Sequence, residues 1–231
     1  VEDDVVAAVG EREIGLGLGA DGADHMRAER LGPLAGQEPD AAGRGVAFDA
    51  MKAFLAGLPA GSIVVLHACC HNPTGADLSE AQWLEVVESI RARGLVAFID
   101  MAYQGFADGI EPDALALRLF AASGLQFFVS SSFSKSFSLY GERVGALSIV
   151  TASKDESARV MSQVKRVVRT NYSNPPTHGG AVVAAVLSSP ELRKLWEEEL
   201  AGMRERIRAM RSGLVDKLKA RGVAQDFSFV A

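Results

Sequence analysis

From Phe48 onward the chain alternates between short unbroken apolar runs and longer stretches of spaced apolar positions. Ser62-Ile-Val-Val-Leu-His-Ala68 is continuous and rich in β-branched residues, the pattern of a strand covered on both faces. Ser79 stands where a helix N-cap belongs; Leu84, Val87 and Ile90 follow at helical spacing, and Gly94 ends the helix. Leu95-Val-Ala-Phe-Ile99 predicts the next buried strand. Pro112 suits the first turn of a helix that carries Leu115 and Leu119 and stops at Gly124. Leu125-Gln-Phe-Phe-Val129 and Val144-Gly-Ala-Leu-Ser-Ile-Val150 predict two further strands. Ser153 and Glu156 read as a capping box for a helix through Val160, Val164 and Val167. This alternation predicts an α/β fold, a mainly parallel sheet with helices on both faces.

The two ends depart from that rhythm. Residues 1–47 contain no aromatic residue and no lysine; ten acids against four arginines leave −6 there, and the remainder carries +1 of the total −5. With little to pack, this segment is expected to be irregular. At the other end, Ser189-Pro190 opens a long helix with apolar positions at Leu195, Leu200, Met203, Ile207, Met210, Leu214 and Leu218, closed by Gly222. It is about 32 residues, or roughly 48 Å. Met203 and Met210 are expected to pack in its core, and Asp226 to Val230 to form a short strand. The expected organisation is an irregular 1–47, part of a large α/β domain over 48–189, and a linking helix with the start of a smaller domain over 190–231.

Composition narrows the function classes. The chain is 48% hydrophobic and 23% charged, an ordinary globular balance. A net charge of −5 gives no reason to expect nucleic acid or an anionic membrane surface as partner. No apolar run approaches the roughly 20 residues of a membrane span, and no basic-then-apolar leader is present. Cys69 and Cys70 are adjacent and sit in an apolar run, so they read as buried thiols of a reducing cytoplasm. The histidines and cysteines do not fall at metal-ligand spacing, so no metal is expected.

Ligands of open α/β sheets bind beyond the C-terminal ends of the strands. Four polar clusters fall at such ends: His71-Asn72-Pro73-Thr74-Gly75, Asp100-Met101-Ala102-Tyr103, Ser130 through Lys135, and Gly141-Glu142-Arg143. Each alone has a plain structural reading as a turn, a cap or a solvated side chain. Gly17-Leu-Gly-Ala-Asp-Gly22 fits G-x-G-x-x-G, but a nicotinamide site needs a strand before it and a helix after it. Val5 to Val9 makes a poor strand, so the oxidoreductase reading is kept only as an alternative.

Taken together, four blocks resemble the class I aminotransferases of pyridoxal-phosphate fold type I. They are His67-Ala-Cys-Cys-His-Asn-Pro-Thr-Gly75, Ile99-Asp-Met-Ala-Tyr-Gln-Gly-Phe-Ala-Asp-Gly109, Ser131-Ser-Phe-Ser-Lys-Ser-Phe-Ser-Leu-Tyr-Gly-Glu-Arg143 and Arg169-Thr-Asn-Tyr-Ser-Asn-Pro-Pro176. The third block looks most like the bacterial aromatic (tyrosine) aminotransferases. The likeness runs from Ala60 to about Ala231, is weaker over Gly45 to Ala60, and is absent before about Gly43. It implies transamination between an aromatic or acidic L-amino acid and a 2-oxo acid, with pyridoxal 5′-phosphate as cofactor and a homodimer as the working unit. It implies that Lys135 bonds the cofactor and moves the substrate α-proton, and that Asp100 pairs with the pyridine nitrogen. Tyr103 and Asn72 would hydrogen-bond the phenolic oxygen, and Ser132 and Arg143 would hold the phosphate. Asn72 would also face substrate, Arg169 would bind a distal carboxylate in the partner's site, and Asn72-Pro73 is a candidate cis bond. The family's dimer arm, phosphate loop, ring-stacking aromatic and α-carboxylate arginine have no counterpart in this sequence. Truncation at both ends is therefore expected, and an inactive fragment with weak cofactor binding is the alternative to an active enzyme.

Overall fold

The computed structural model describes residues 45–231 in full and, by backbone alone, the strands β1 (Val6–Val9) and β2 (Arg12–Ala20). The elements that follow are α1 (Phe48–Gly57), β3 (Ile63–His67), α2 (Glu80–Arg93), β4 (Val96–Met101), α3 (Ile110–Asp113), α4 (Leu115–Ser123), β5 (Phe127–Ser132), a 3₁₀ turn (Tyr140–Glu142), β6 (Val144–Val150), α5 (Lys154–Asn171), α6 (Thr177–Ser188), α7 (Pro190–Ala220) and a 3₁₀ turn (Ser228–Val230). One six-stranded sheet runs in the order β1-β2-β6-β5-β4-β3.

The fold is α/β, with helices on both faces of the sheet. Its strand directions are more mixed than the alternation predicts. β3, β4 and β5 are parallel, while β6 runs antiparallel to both β5 and β2, and β2 antiparallel to β1. The link between β5 and β6, residues 133–143, holds only a 3₁₀ turn, too little for the helical crossover that parallel neighbours need. Residues 1–47 are also not wholly irregular: β1 and β2 form a hairpin on the edge of β6. Val6–Val9 is thus a strand, against expectation.

Local signals in the middle of the chain hold. Ser79 accepts from Gln82 N and receives Gln82's side chain in return, a full capping box on α2. Gly94 ends that helix at φ 60°. At α5, Ser153 accepts from Glu156 N, but the Glu156 carboxylate accepts from Ala152 N and Gln126 instead of closing the box. The helix expected around Pro112 is split at Ala114 into α3 and α4. α6 escaped the sequence reading because it starts without a side-chain cap and its apolar run lacks a clear stripe.

Burial along β4 alternates strictly, so one face is sealed and the other only half covered. Ala97, Ile99 and Met101 of β4, Phe127 and Val129 of β5 and Leu66 of β3 point into a core shared with Met51 and Leu55 of α1, Trp83, Val86, Val87 and Ile90 of α2, and Phe120 of α4. Trp83 meets Phe120 edge-on at 6.4 Å. Each of the Val, Leu, Ile, Phe and Met side chains among them stabilises the fold by about 1.5–3 kcal/mol through burial. The buried stripe of α2 is set by Trp83; Leu84, expected inside, is 49% exposed.

α7 has the expected length, 31 residues, with Ser189 capping and Pro190 in the first turn. Its burial differs from expectation. Leu200 is buried, whereas Leu195, Met203, Ile207, Met210 and Leu214 are exposed. The expected strand at Asp226 to Val230 is a 3₁₀ turn, because Asp226 accepts from Ser228 N and Val230 N turns back to Phe227 O.

Candidate active site

Parity brings the first group together. Since Leu66, Ile99 and Val129 face the α1–α2–α4 core, His67, Asp100 and Ser130 emerge on the opposite face. Register then aligns them, His67 opposite Asp100 and Asp100 opposite Ser130, at the C-terminal ends of three parallel strands. Ser130 Oγ donates to Asp100 Oδ1 at 2.9 Å, and His67 Nε2 lies 4.0 Å from Asp100 Oδ2. The carboxylate is oriented from both sides. His67 and Ser130 are the partners that sequence reasoning left without roles; their register with Asp100 on the two strands flanking β4 brings them to it.

The second group forms on the loops after β4 and β5. Lys135 Nζ lies 4.9 Å from the centre of the Tyr103 ring and 5.8 Å from that of Tyr140. Tyr140 O accepts from Arg143 Nη1 at 3.3 Å. Arg143 sits at φ 50° just before β6, so its cluster lies at a strand's start and not at its C-terminal end. It still reaches the same edge, because β6 is antiparallel and pairs Gly145 with Ser132. Ser132 Oγ accepts from Ser134 N at 3.3 Å, a turn that starts the Lys135 loop.

The loop after β3 is braced from below. Asp77 accepts from Cys70 N and His71 N, and Thr74 Oγ1 lies 2.7 Å from His71 Nδ1. Asn72 N donates to His67 Nδ1 at 3.3 Å, and the Asn72-Pro73 bond is cis. Burial, and then the neighbouring His67 ring at 4.8 Å, lower the His71 pKa. Arg169, by contrast, finds a local partner: exposed in the last turn of α5, it donates to Ser173 Oγ.

Cys69, Cys70 and Asp113 bring three ligand-type atoms within 4.8 Å of one another. Their hydrogen bonds describe a brace. Asp113 accepts from the N–H groups of Gly105, Ala107, Asp108 and Gly109, two on each oxygen, which ties down the loop after Tyr103. Cys69 is buried as expected, Cys70 only half so, and both thiols are free. The hydrogen bond with Cys70, and then burial, push the Cys69 pKa upward. The dinucleotide motif fails on geometry. Gly17 and Gly19 lie inside β2, paired with Leu147 and Gly145 of β6, where a phosphate loop would require a strand-to-helix turn. Gly22 lies outside the described residues.

A carboxylate is thus held near the C-terminal ends of parallel strands, and a lysine meets a tyrosine on the loops that follow two of them. The chain belongs to the aminotransferase class I and II family, whose profile it matches over residues 36–231. It is 68% identical over 191 residues to an aspartate aminotransferase of Pseudomonas aeruginosa, covering 83% of this chain and 48% of that protein. It is 51% identical over 191 residues to an aromatic-amino-acid aminotransferase of Escherichia coli, covering 83% of this chain and 48% of that protein. A crystal structure of aromatic-amino-acid aminotransferase from Burkholderia pseudomallei covalently bound to pyridoxal phosphate superposes with a TM-score of 0.83 at 69% identity, over 84% of this chain and 49% of that one. The chain thus spans about half the length of these relatives. Among the described residues, no helix is long and apolar enough to cross a membrane.

Proposed function

We propose that this chain holds pyridoxal 5′-phosphate through Lys135 and carries the cofactor-binding half of a transamination between an aromatic or acidic L-amino acid and a 2-oxo acid. The donor set fits the group part by part. Lys135 offers a primary amine for the aldehyde. Asp100, already anchored by Ser130, offers a carboxylate for the ring nitrogen. Tyr103 and Asn72 offer donors for the phenolic oxygen, and Ser132 and Arg143 a hydroxyl and a guanidinium for the phosphate. When bound, the cofactor supplies an electron sink for the substrate α-carbon.

The chain's own residues do the rest. Asp100 would hold the ring nitrogen in its protonated form, and Ser130 and His67, one beside each carboxylate oxygen, would keep the group oriented. Lys135 would take up and return the proton of the substrate α-carbon on its amine. Tyr103 holds Lys135 within reach. Arg169 fits the recognition of a distal substrate carboxylate across a homodimer interface. The free thiols favour a reducing cytoplasm as the working compartment.

The observation that carries this reading is the Lys135 amine 4.9 Å from the Tyr103 ring centre, on the edge where Asp100 stands next to last in β4. The test is to add pyridoxal phosphate to the purified chain, reduce with borohydride and map the labelled peptide. Label at Lys135, lost in Lys135→Ala, supports the proposal; the same labelling pattern in both proteins would sink it. Adduct without exchange of amino groups would make the chain a cofactor-holding fragment. Sedimentation of the loaded chain tests the homodimer.

A further inference from the structure

α7 carries Trp196, Leu200, Arg204 and Arg208 at four-residue intervals, one face of the helix. Each meets a loop of the site. Trp196 Nε1 donates to Ser136 O at 2.6 Å, and its ring stacks on Phe137 at 4.5 Å and 20°. Those are the two residues after Lys135. Leu200, 1% exposed, sits against Gly105, where an added Cβ would collide with it. Arg204 Nη1 donates to Gly105 O at 2.8 Å, and Arg208 donates to Ala107 O and to Asp108 Oδ1. Gly105 is two residues after Tyr103.

We propose that this ladder on α7 is a positioning element that sets Lys135 against Tyr103. The inference rests on the functional reading above and goes beyond it. The helix grips the chain beside each of them, at Ser136 and Gly105. Trp196 and Arg204 are two ladder steps apart, about 12 Å along a rigid helix. That spacing sets how far apart the helix holds the two loops. Arg204 Nε is buried without a hydrogen-bond acceptor among the described residues. Nε lies 3.7 Å from Glu205 Oε1, an ion pair within α7 itself, so the guanidinium's hold on the site loop is its grip on Gly105 O.

The test compares Trp196→Leu and Arg204→Leu with the conservative Trp196→Phe and Arg204→Lys in the full chain. The first readout needs no cofactor: the acetylation rate of Lys135 relative to exposed Lys165, measured by peptide mass spectrometry on protein whose folding is verified by circular dichroism. Releasing Lys135 from Tyr103 is expected to raise that ratio about 2–5-fold in the two leucine variants, the worth of an exposed cation–π contact. The conservative variants should stay closer to wild type. The second readout is the pH midpoint of the visible band of the pyridoxal-phosphate-loaded chain, expected to move by about one unit in the leucine variants. Folded variants with wild-type acetylation ratios and midpoints, and only lower melting temperatures, would overturn the ladder as a positioning element. Failure of wild type to take label at Lys135 would sink the cofactor reading alone, because the acetylation ratio still judges the ladder.

Discussion

Two helix systems hold this molecule in different ways. α1, α2 and α4 press an almost wholly apolar stripe onto one side of the parallel strands, with Trp83, Phe120, Leu55 and Ile90 sealed from water. α7 buries only Leu200 and grips the structure through an indole N–H and two guanidinium groups. Apolar packing is non-directional and tolerates small shifts; hydrogen bonds from long side chains specify where a loop sits. The comparison teaches that the first system supplies stability and the second supplies position at the site.

The largest effect should come from the first system. Phe120→Ala is expected to cost about 3–5 kcal/mol, read as the shift in urea midpoint at constant slope. Leu200→Ala should cost about 2–5 kcal/mol and fall below Phe120→Ala, since it deletes a smaller buried side chain. A Leu200→Ala cost exceeding that of Phe120→Ala would break the division. Asp113→Asn comes next. It removes charge from an acceptor of four backbone N–H groups and should cost about 1.5–3 kcal/mol. Hydrogen exchange should rise first at Gly105 to Gly109; a uniform rise across the sheet would show that the brace is not local.

His71 sharpens the comparison through pH. Its pKa lies below the ordinary 6.5 because burial, and then His67, disfavour the charged ring, against a smaller opposing pull from Asp77. The unfolded chain therefore binds a proton more readily than the folded one. The stability this group contributes is complete above about pH 6.5 and is lost as pH falls from there through the folded pKa. His71→Asn should flatten the fall of melting temperature between about pH 7 and 5; an unchanged slope would assign the acid sensitivity elsewhere.

What was legible in the sequence follows the same division. Ser79, Gly94 and the apolar runs of β3 to β6 declare themselves, because caps and buried strands are local signals. So do the motifs around Asp100, Tyr103 and Lys135, which fall at or just after the ends of β4 and β5. Strand direction was not legible at β6, since a short link and not a residue pattern reverses it. Nor were the roles of His67 and Ser130, which depend on register across three strands. The hairpin of β1 and β2 pairs by backbone, with few of the β-branched and aromatic residues that usually mark strands.

The smallest expected effect lies where the pattern misled. Met210 stands at a helical apolar position yet is 58% exposed, in a stripe with Leu195, Ile207 and Leu214. Periodicity reports which side chains could share a face, and burial needs a second surface to cover that face. Among the described residues α7 meets the site loops, α6 and the terminal 3₁₀ turn, yet of its apolar positions only Leu200 is buried. Methionine and glutamine have nearly equal helix propensity, so Met210→Gln changes little besides apolar area already in water. It should alter unfolding free energy by no more than about 0.5 kcal/mol. A loss of more than about 1 kcal/mol, comparable to truncating a buried side chain, would mean that the stripe is covered in solution. α7 would then join the apolar system it is contrasted with here.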